Sequence, residues 1–394
     1  MRLPVLTATF VYHEVEILRE AGYEITTVSM ARPDKSKVSA EAQYLFDSTI
    51  YLDQTPFLKK IYAQLVIFFK DPHTWLRLFG IAIREKETIN FKDRLRILYH
   101  FIQSGYLFLI VKDRSFDHIH SPFLTGSANL AFFLSQYLKI PFSFTMHASN
   151  IYIDPIMLET KLAYCKKAVT ISEYNKHFLL KKYGNHFKDK IDIIHCGVNV
   201  GKFRSTHDKK PVPPIILAVG QLTARKGFFY LLKACGLLKK KRVKFRCIIV
   251  GDGEDRKFLA KCAQSLEVND VVTFLGRQPQ EEVRKLLQDA SVFTLPSIIT
   301  GEGGREGIPV ALMEAMSMEL PTVSTQTVGI PELIENNKEG LLVEQKDPVA
   351  LAHALETLLR NKQLRLEMGQ AARRKVEKEF NIANVPQQFQ KILL

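Results

Sequence analysis

The chain has 394 residues and is poor in several features that would assign it quickly. It has five cysteines, Cys165, Cys196, Cys235, Cys247 and Cys262, and no two of them make a CxxC pair. That excludes a disulfide framework and the usual thiolate zinc spacings, and it fits a reducing compartment. No uninterrupted apolar run reaches the length needed to span a bilayer. The opening Met1-Arg2-Leu3-Pro4 is not followed by the apolar core and cleavage site of a signal peptide. There is no internal repeat and no low-complexity tail. A GxGxxG loop with a distant ribose-binding acid is also missing, which argues against NAD. Acidic residues are in deficit, 41 Asp and Glu against 55 Lys and Arg, so the formal net charge is +14. Such a balance favours an acidic partner: nucleic acid, an anionic membrane surface or a phosphorylated substrate. No zinc-finger or RNP-like signature supports nucleic acid, so no nucleic-acid partner is expected. Hydrophobic residues at 46 % and charged residues at 24 % are ordinary for a folded protein. The length suits two to three domains.

What is present is a rhythm of helices and strands. FVYHEVEILRE, residues 10–20, has helical spacing at Val11, Val15 and Leu18, and YEITTVSM alternates as a strand. Only Leu3 to Thr9 precede that helix, and Pro4 interrupts them, so the strand expected before it is nearly absent. From Phe116 the alternation is regular: FDHIHS, PFSFTMHAS, AVTIS and KIDIIHCGV read as strands with helices between them. A second series starts at Pro214, with strands IILAVG, FRCIIVG, VVTFLG, SVFTLPS, PTVST and GLLVE. This pattern predicts parallel, doubly wound sheets in two Rossmann-like halves. The expected division is a first domain over 1–196, a linker over 197–213, a second domain over 214–375 and a C-terminal helix, 376–394, packing back on the first domain. Residues 56–112 differ in character. They read as helices with apolar faces, and they hold ten Lys and Arg against four Asp and Glu. They suit contact with a membrane surface or, alternatively, are ordinary core helices of an inserted segment.

The richest stretch is GEGGREGIPVALMEAMSMELPTVSTQTVGIP, from Gly301 to Pro331. Glu306 stands in the loop before a helix start, with Gly307, Ile308, Pro309 and Val310 forming the entry. Glu314 lies two turns further along, on roughly the same side. Unpaired amides at a helix start collect a phosphate, and carboxylates beside them accept bonds from sugar hydroxyls. Spacing alone leaves open an ordinary solvated pair. In open parallel sheets ligands bind beyond the carboxyl ends of strands. His147, Ser172, the loop from Gly220 to Gly227, Gly251-Asp252-Gly253 and Glu306 all fall there. Arg225 and Lys226 in the first of those loops can meet a diphosphate, Arg bidentately and Lys as a point charge.

With these segments the chain resembles family 4 glycosyltransferases of the GT-B fold, in which two Rossmann-like domains face each other across a cleft. The resemblance is strongest through ILAVGQLTARKGFFYLLKA, IIVGDGE, VTFLG and EGIPVALMEAMSMELPTVST, where the two glutamates form the family's E-x7-E motif. It extends to FSFTMHASNIY and TISEYNKHFL in the first half, and is nearest to enzymes that build exopolysaccharides such as colanic acid. It implies a retaining transferase that needs neither metal nor cofactor and acts by front-face attack within a short-lived ion pair. By the resemblance, Arg225 and Lys226 hold the donor diphosphate, Glu306 the sugar hydroxyls and Glu314 the ribose. Gly220, Asp252, Gly253 and Gly307 to Val310 line the donor site. His147 sits near the reacting sugar, and Asn150 and Ser172 lie on the acceptor side. The implied partners are a UDP- or GDP-linked sugar, a saccharide or lipid-linked acceptor, and an anionic membrane surface. The implied location is the cytoplasm, peripheral to the inner face of the membrane. The chain departs from the family pattern at Asn150, where Asp is usual, and at Glu319, where Gly is usual. It also begins without the family's usual first strand, which predicts an N-terminal sheet short of one strand. The alternative expectation is a GT-B-like binding protein impaired by that short start.

Overall fold

The structure, a computed structural model, describes residues 9–34, 38, 43–85, 87, 90–147, 151–153, 155–205 and 210–393. The chain divides into two compact units. One holds Met1–Ile171, Lys176–Ile194 and Val385–Leu394, the other Ser172–Asn175 and His195–Asn384.

In the first unit, β3 (Ile119–Ser121), β4 (Phe142–Met146), β5 (Lys167–Thr170) and β6 (Ile191–Ile193) form a parallel sheet in that order. A separate parallel pair joins β1 (Val28–Ser29) to β2 (Ile50–Tyr51). All five residues of β4 are buried, as expected for a parallel strand covered on both faces. Phe132, Phe133, Phe142 and Phe144 are at most 1 % exposed. Burying each such ring contributes about 2 kcal/mol. Helices Phe57–Lys70, Pro72–Arg84 and Phe91–Val111 pack against one another in this unit. Helix starts are set by polar caps: Asp71 accepts from the Thr74 amide and Asn90 from the Asp93 amide.

The second unit holds one six-stranded parallel sheet in the order β12-β11-β10-β7-β8-β9. Its strands are β7 (Ile215–Val219), β8 (Arg246–Val250), β9 (Val272–Gly276), β10 (Val292–Leu295), β11 (Thr322–Thr325) and β12 (Gly340–Val343). β10 and β11 are wholly buried. The chain runs outward from β7 through β8 and β9, then returns to lay β10 on the other side of β7. That reversal opens a crevice beyond the carboxyl ends of β7 and β10, where ligands bind in this sheet type.

The strand expected over YEITTVSM is confined to Val28–Ser29. Its partner β2 also has two residues, and a ladder extends only as far as its partner does. Glu319 has φ +58°. It follows the helix Val310–Ser317 in a Schellman motif, with the Leu320 amide donating to the Ala315 carbonyl and the Glu319 amide to that of Met316. This left-handed position explains why glycine is the usual residue there.

Candidate functional site

The loop after β7 is held by backbone contacts that admit no side chain. Gly227 has φ +71°, and a Cβ there would lie 1.9 Å from the carbonyl oxygen of Pro296. The Ile298 amide donates to the Arg225 carbonyl at 2.8 Å, so the loops following β7 and β10 form one piece. On its other side the loop meets the turn after β8. A Cβ on Gly251, at φ +141°, would lie 1.8 Å from the Gly220 oxygen, and one on Gly253 2.3 Å from the Leu222 oxygen. The Leu222 amide donates to the Asp252 carbonyl. Gly220, Asp252 and Gly253 therefore shape the loop bed through their backbones. The Asp252 carboxylate is exposed and accepts the Gly253 amide at 2.9 Å.

On that bed a short 3₁₀ turn, Ala224–Lys226, presents two cations. Arg225 Nε is 2.6 Å from Glu306 Oε1, and Lys226 Nζ is 2.9 Å from Glu306 Oε2. Burial pushes the Glu306 carboxyl upward, but Lys226 and Arg225 outweigh it and hold the group below its ordinary range. The side chains of Glu306 and Lys226 are 15 % and 13 % exposed, while that of Arg225 is 36 % exposed, so Arg225 is the solvent-facing member of the triplet. The triplet carries one net positive charge. Gly307, Ile308 and Pro309 are buried behind it. They lead into the helix Val310–Ser317, whose start has no side-chain cap, the Leu312 amide donating instead to the Pro309 carbonyl at 3.0 Å.

Glu314 is on that helix. Burial lifts its carboxyl to about 7, opposed by a hydrogen bond with the Gln280 side chain. Two carboxylates of one motif thus differ in state. Glu306 is ionised and paired, while Glu314 changes protonation near neutral pH.

The remaining expected residues have other local partners. His147 follows β4 in the first unit. Its Nε2 donates to the Pro122 carbonyl at 3.2 Å, and its ring lies 5.4 Å from that of Phe123. Burial pushes it down to about 4, so it is a neutral imidazole at physiological pH. Ser172 is fully buried and caps the helix Glu173–Tyr183, its Oγ accepting the Asn175 amide at 3.2 Å. Asn150 lies outside the described residues.

Three further residues emerge only from the fold. Glu332 accepts the Glu173 and Tyr174 amides at 2.8 and 2.9 Å, completing the cap that Ser172 begins. Arg305, beside Glu306, donates to the Tyr174 hydroxyl at 3.3 Å and to the Gly303 carbonyl. Gln280 opens the helix Gln280–Asp289. In the sequence Glu332 is marked only by its place after a Pro at a helix start. Arg305 and Gln280 carry no local signal.

The two cations and the carboxylate are thus grouped beyond the carboxyl ends of β7 and β10. Two family models match the chain: Glycosyltransferase Family 4 over residues 7–202 and Glycosyl transferases group 1 over residues 200–375. The chain belongs to the family 4, group 1 glycosyltransferases. An Escherichia coli (strain K12) glycosyltransferase, whose name assigns it to colanic acid biosynthesis, is 40 % identical over 196 residues. That match covers 49 % of this chain and 48 % of the relative, so it spans about half the relative's length. Among solved structures, a glycosyltransferase from Rickettsia africae superposes with a TM-score of 0.72 at 18 % identity, covering 100 % of this chain and 96 % of that one. The Anabaena protein HepE, solved in complex with UDP-glucose, superposes with a TM-score of 0.62 at 17 % identity, over 74 % of this chain and 81 % of its own. With its two parallel-sheet units, the chain has the GT-B fold.

Proposed function

We propose that the protein is a retaining glycosyltransferase. It moves a sugar from a nucleotide-diphosphate sugar to a saccharide or lipid-linked saccharide during the synthesis of an exopolysaccharide or other cell-surface glycan. The observation that carries this reading is the Arg225–Lys226–Glu306 triplet at the carboxyl ends of β7 and β10. In the resting site Glu306 stands where the donor's phosphate charge would lie. When the donor binds, the cations turn to the diphosphate and the carboxylate is released to the sugar hydroxyls. The bond between the anomeric carbon and the phosphate oxygen then breaks, and the leaving diphosphate takes the electron pair. Arg225 and Lys226 neutralise that charge, which makes the departure possible without a metal. The acceptor hydroxyl adds to the same face of the sugar and passes its proton to the departing phosphate oxygen. Gly307 to Val310 contribute amides to the donor, and Glu314 receives the ribose hydroxyls. His147, being neutral, serves as a hydrogen-bonding group to the sugar rather than as a charged acid.

The relative named for colanic acid biosynthesis supports the glycan class, and the UDP-glucose complex of HepE makes UDP-sugars the first donors to test. The five free thiols suit a reducing cytoplasm. The test is a transfer assay on donors selected by thermal shift, with product configuration read by NMR and metal dependence by adding a chelator. Glu306→Gln should lose transfer by roughly a hundredfold or more with the fold retained, read by circular dichroism. A fully active Gln variant would overturn the assignment. An inverted product, or activity lost to the chelator, would overturn its stereochemical or metal-independent part.

A further inference from the structure

We infer that the outer face of the helices Phe57–Lys70, Pro72–Arg84 and Phe91–Val111 docks on an anionic lipid bilayer. On the first helix Lys60, Ala63, Gln64 and Ile67 are buried. The opposite side carries Leu58, Tyr62, Leu65 and Phe69, which are 80 %, 64 %, 52 % and 81 % exposed. Their spacing of four, three and four residues aligns them in one stripe. The other two helices repeat the pattern. Leu76 and Ile83 are exposed opposite buried Leu78 and Ala82. Phe91, Leu95 and Tyr99 are exposed opposite Ile97 and Phe101. The first and third helices meet where the Lys60 ammonium lies 5.7 Å from the Tyr99 ring. Scattered exposed apolar residues need no explanation, but aligned stripes on three packed helices mark an interaction face.

Charge selects the occupant. The helices Phe57–Lys70 and Pro72–Arg84 expose Lys59, Lys70 and Arg84 and contain no acidic residue. The third adds Lys92, Arg94 and Arg96 against Asp93 alone. Large apolar side chains bordered by Lys and Arg suit the boundary between headgroups and acyl chains of an anionic membrane. A second copy of this chain would bring a formal charge of +14 against +14, and like charges oppose such contact. No helix among the described residues is long and apolar enough to cross a membrane, so the face lies on the bilayer rather than through it.

The experiment is co-sedimentation of the full chain with phosphatidylcholine vesicles, with and without phosphatidylglycerol. This readout is independent of transferase activity, so its failure is distinguishable from failure of the proposed function. Binding should require phosphatidylglycerol and weaken in high salt. The double variant Leu58→Glu/Phe69→Glu should weaken it by roughly tenfold or more. Replacing Lys59 and Lys70 by Gln should weaken it by roughly fivefold per charge. The change Val212→Glu, at a residue 92 % exposed in the second unit, should leave binding intact. Equal binding by the double variant, equal loss from Val212→Glu, or binding to neutral vesicles alone would overturn the inference. So would a dimer in sedimentation velocity that the double variant disperses.

Discussion

The protonation of Glu314 gives the sharpest test of the site. Burial lifts this carboxyl from 4.5 to about 7 in the folded protein. A carboxyl raised on folding holds a proton that the unfolded chain gives up. Its contribution to stability is complete below the unfolded value of 4.5 and is lost as pH rises through about 7. The full difference corresponds to roughly 3 kcal/mol, and residual solvent contact reduces the expected effect to about 1–2 kcal/mol. Glu314→Gln keeps the shape and the Gln280 neighbour but cannot ionise. Urea unfolding of the two proteins between pH 5 and pH 8 should therefore show wild type losing about 1–2 kcal/mol relative to the variant. Donor binding has the opposite sign. In the proposed donor site ribose hydroxyls donate to the ionised carboxylate, so binding expels the proton. Wild-type affinity for the nucleotide should rise with pH, by up to about tenfold for each pH unit below 7, and level off above it. The variant should bind weakly with no such slope. Parallel stability curves for the two proteins, or wild-type affinity that is flat across this range, would refute the reasoning.

Other outcomes follow from the same geometry. Arg225→Ala and Lys226→Ala should each slow transfer by about 10² to 10³, read as kcat/KM at fixed acceptor; each should also let the buried Glu306 carboxyl rise, visible in the pH profile. Gly227→Ala combines φ +71° with a Cβ 1.9 Å from the Pro296 oxygen, so denaturant unfolding should show a loss of roughly 2–3 kcal/mol. Glu319→Gly relieves a left-handed side chain at φ +58°, and the melting experiment should show a gain of about 1 kcal/mol.

The fold was legible where burial is uniform. ILAV in β7 and VFTL in β10 are near-continuous apolar runs because both faces of those strands are covered. YEITTVSM misled because its alternation reports a half-buried strand but not the length of its partner. In the site, Arg225, Lys226 and Glu306 were each readable as residues at strand ends. Their mutual pairing was not, since it joins segments 80 and 81 residues apart across the sheet's reversal. Ser172 looked like part of a binding mouth because a serine after a strand suits either role. Its bond to the Asn175 amide, and the arrival of Glu332 from 159 residues away, show that it also caps a helix, a role no local pattern announces. The Gln280 contact with Glu314 depends on how two helices pack, and no local pattern encodes that.

The resting ion triplet has a bearing on turnover. In the proposed reaction a free nucleotide diphosphate, the product once the sugar has left, offers the cations a charge but offers Glu306 no hydroxyls. A carboxylate with its side chain only 15 % exposed is then left unsatisfied beside the two groups that would relieve it. It competes for Arg225 and Lys226 and weakens their hold on the product. The same side chain that receives the intact donor thus works as an internal rival to the spent one. It sets a threshold against occupancy by bare phosphates, and removing its charge should tighten binding of the free nucleotide diphosphate.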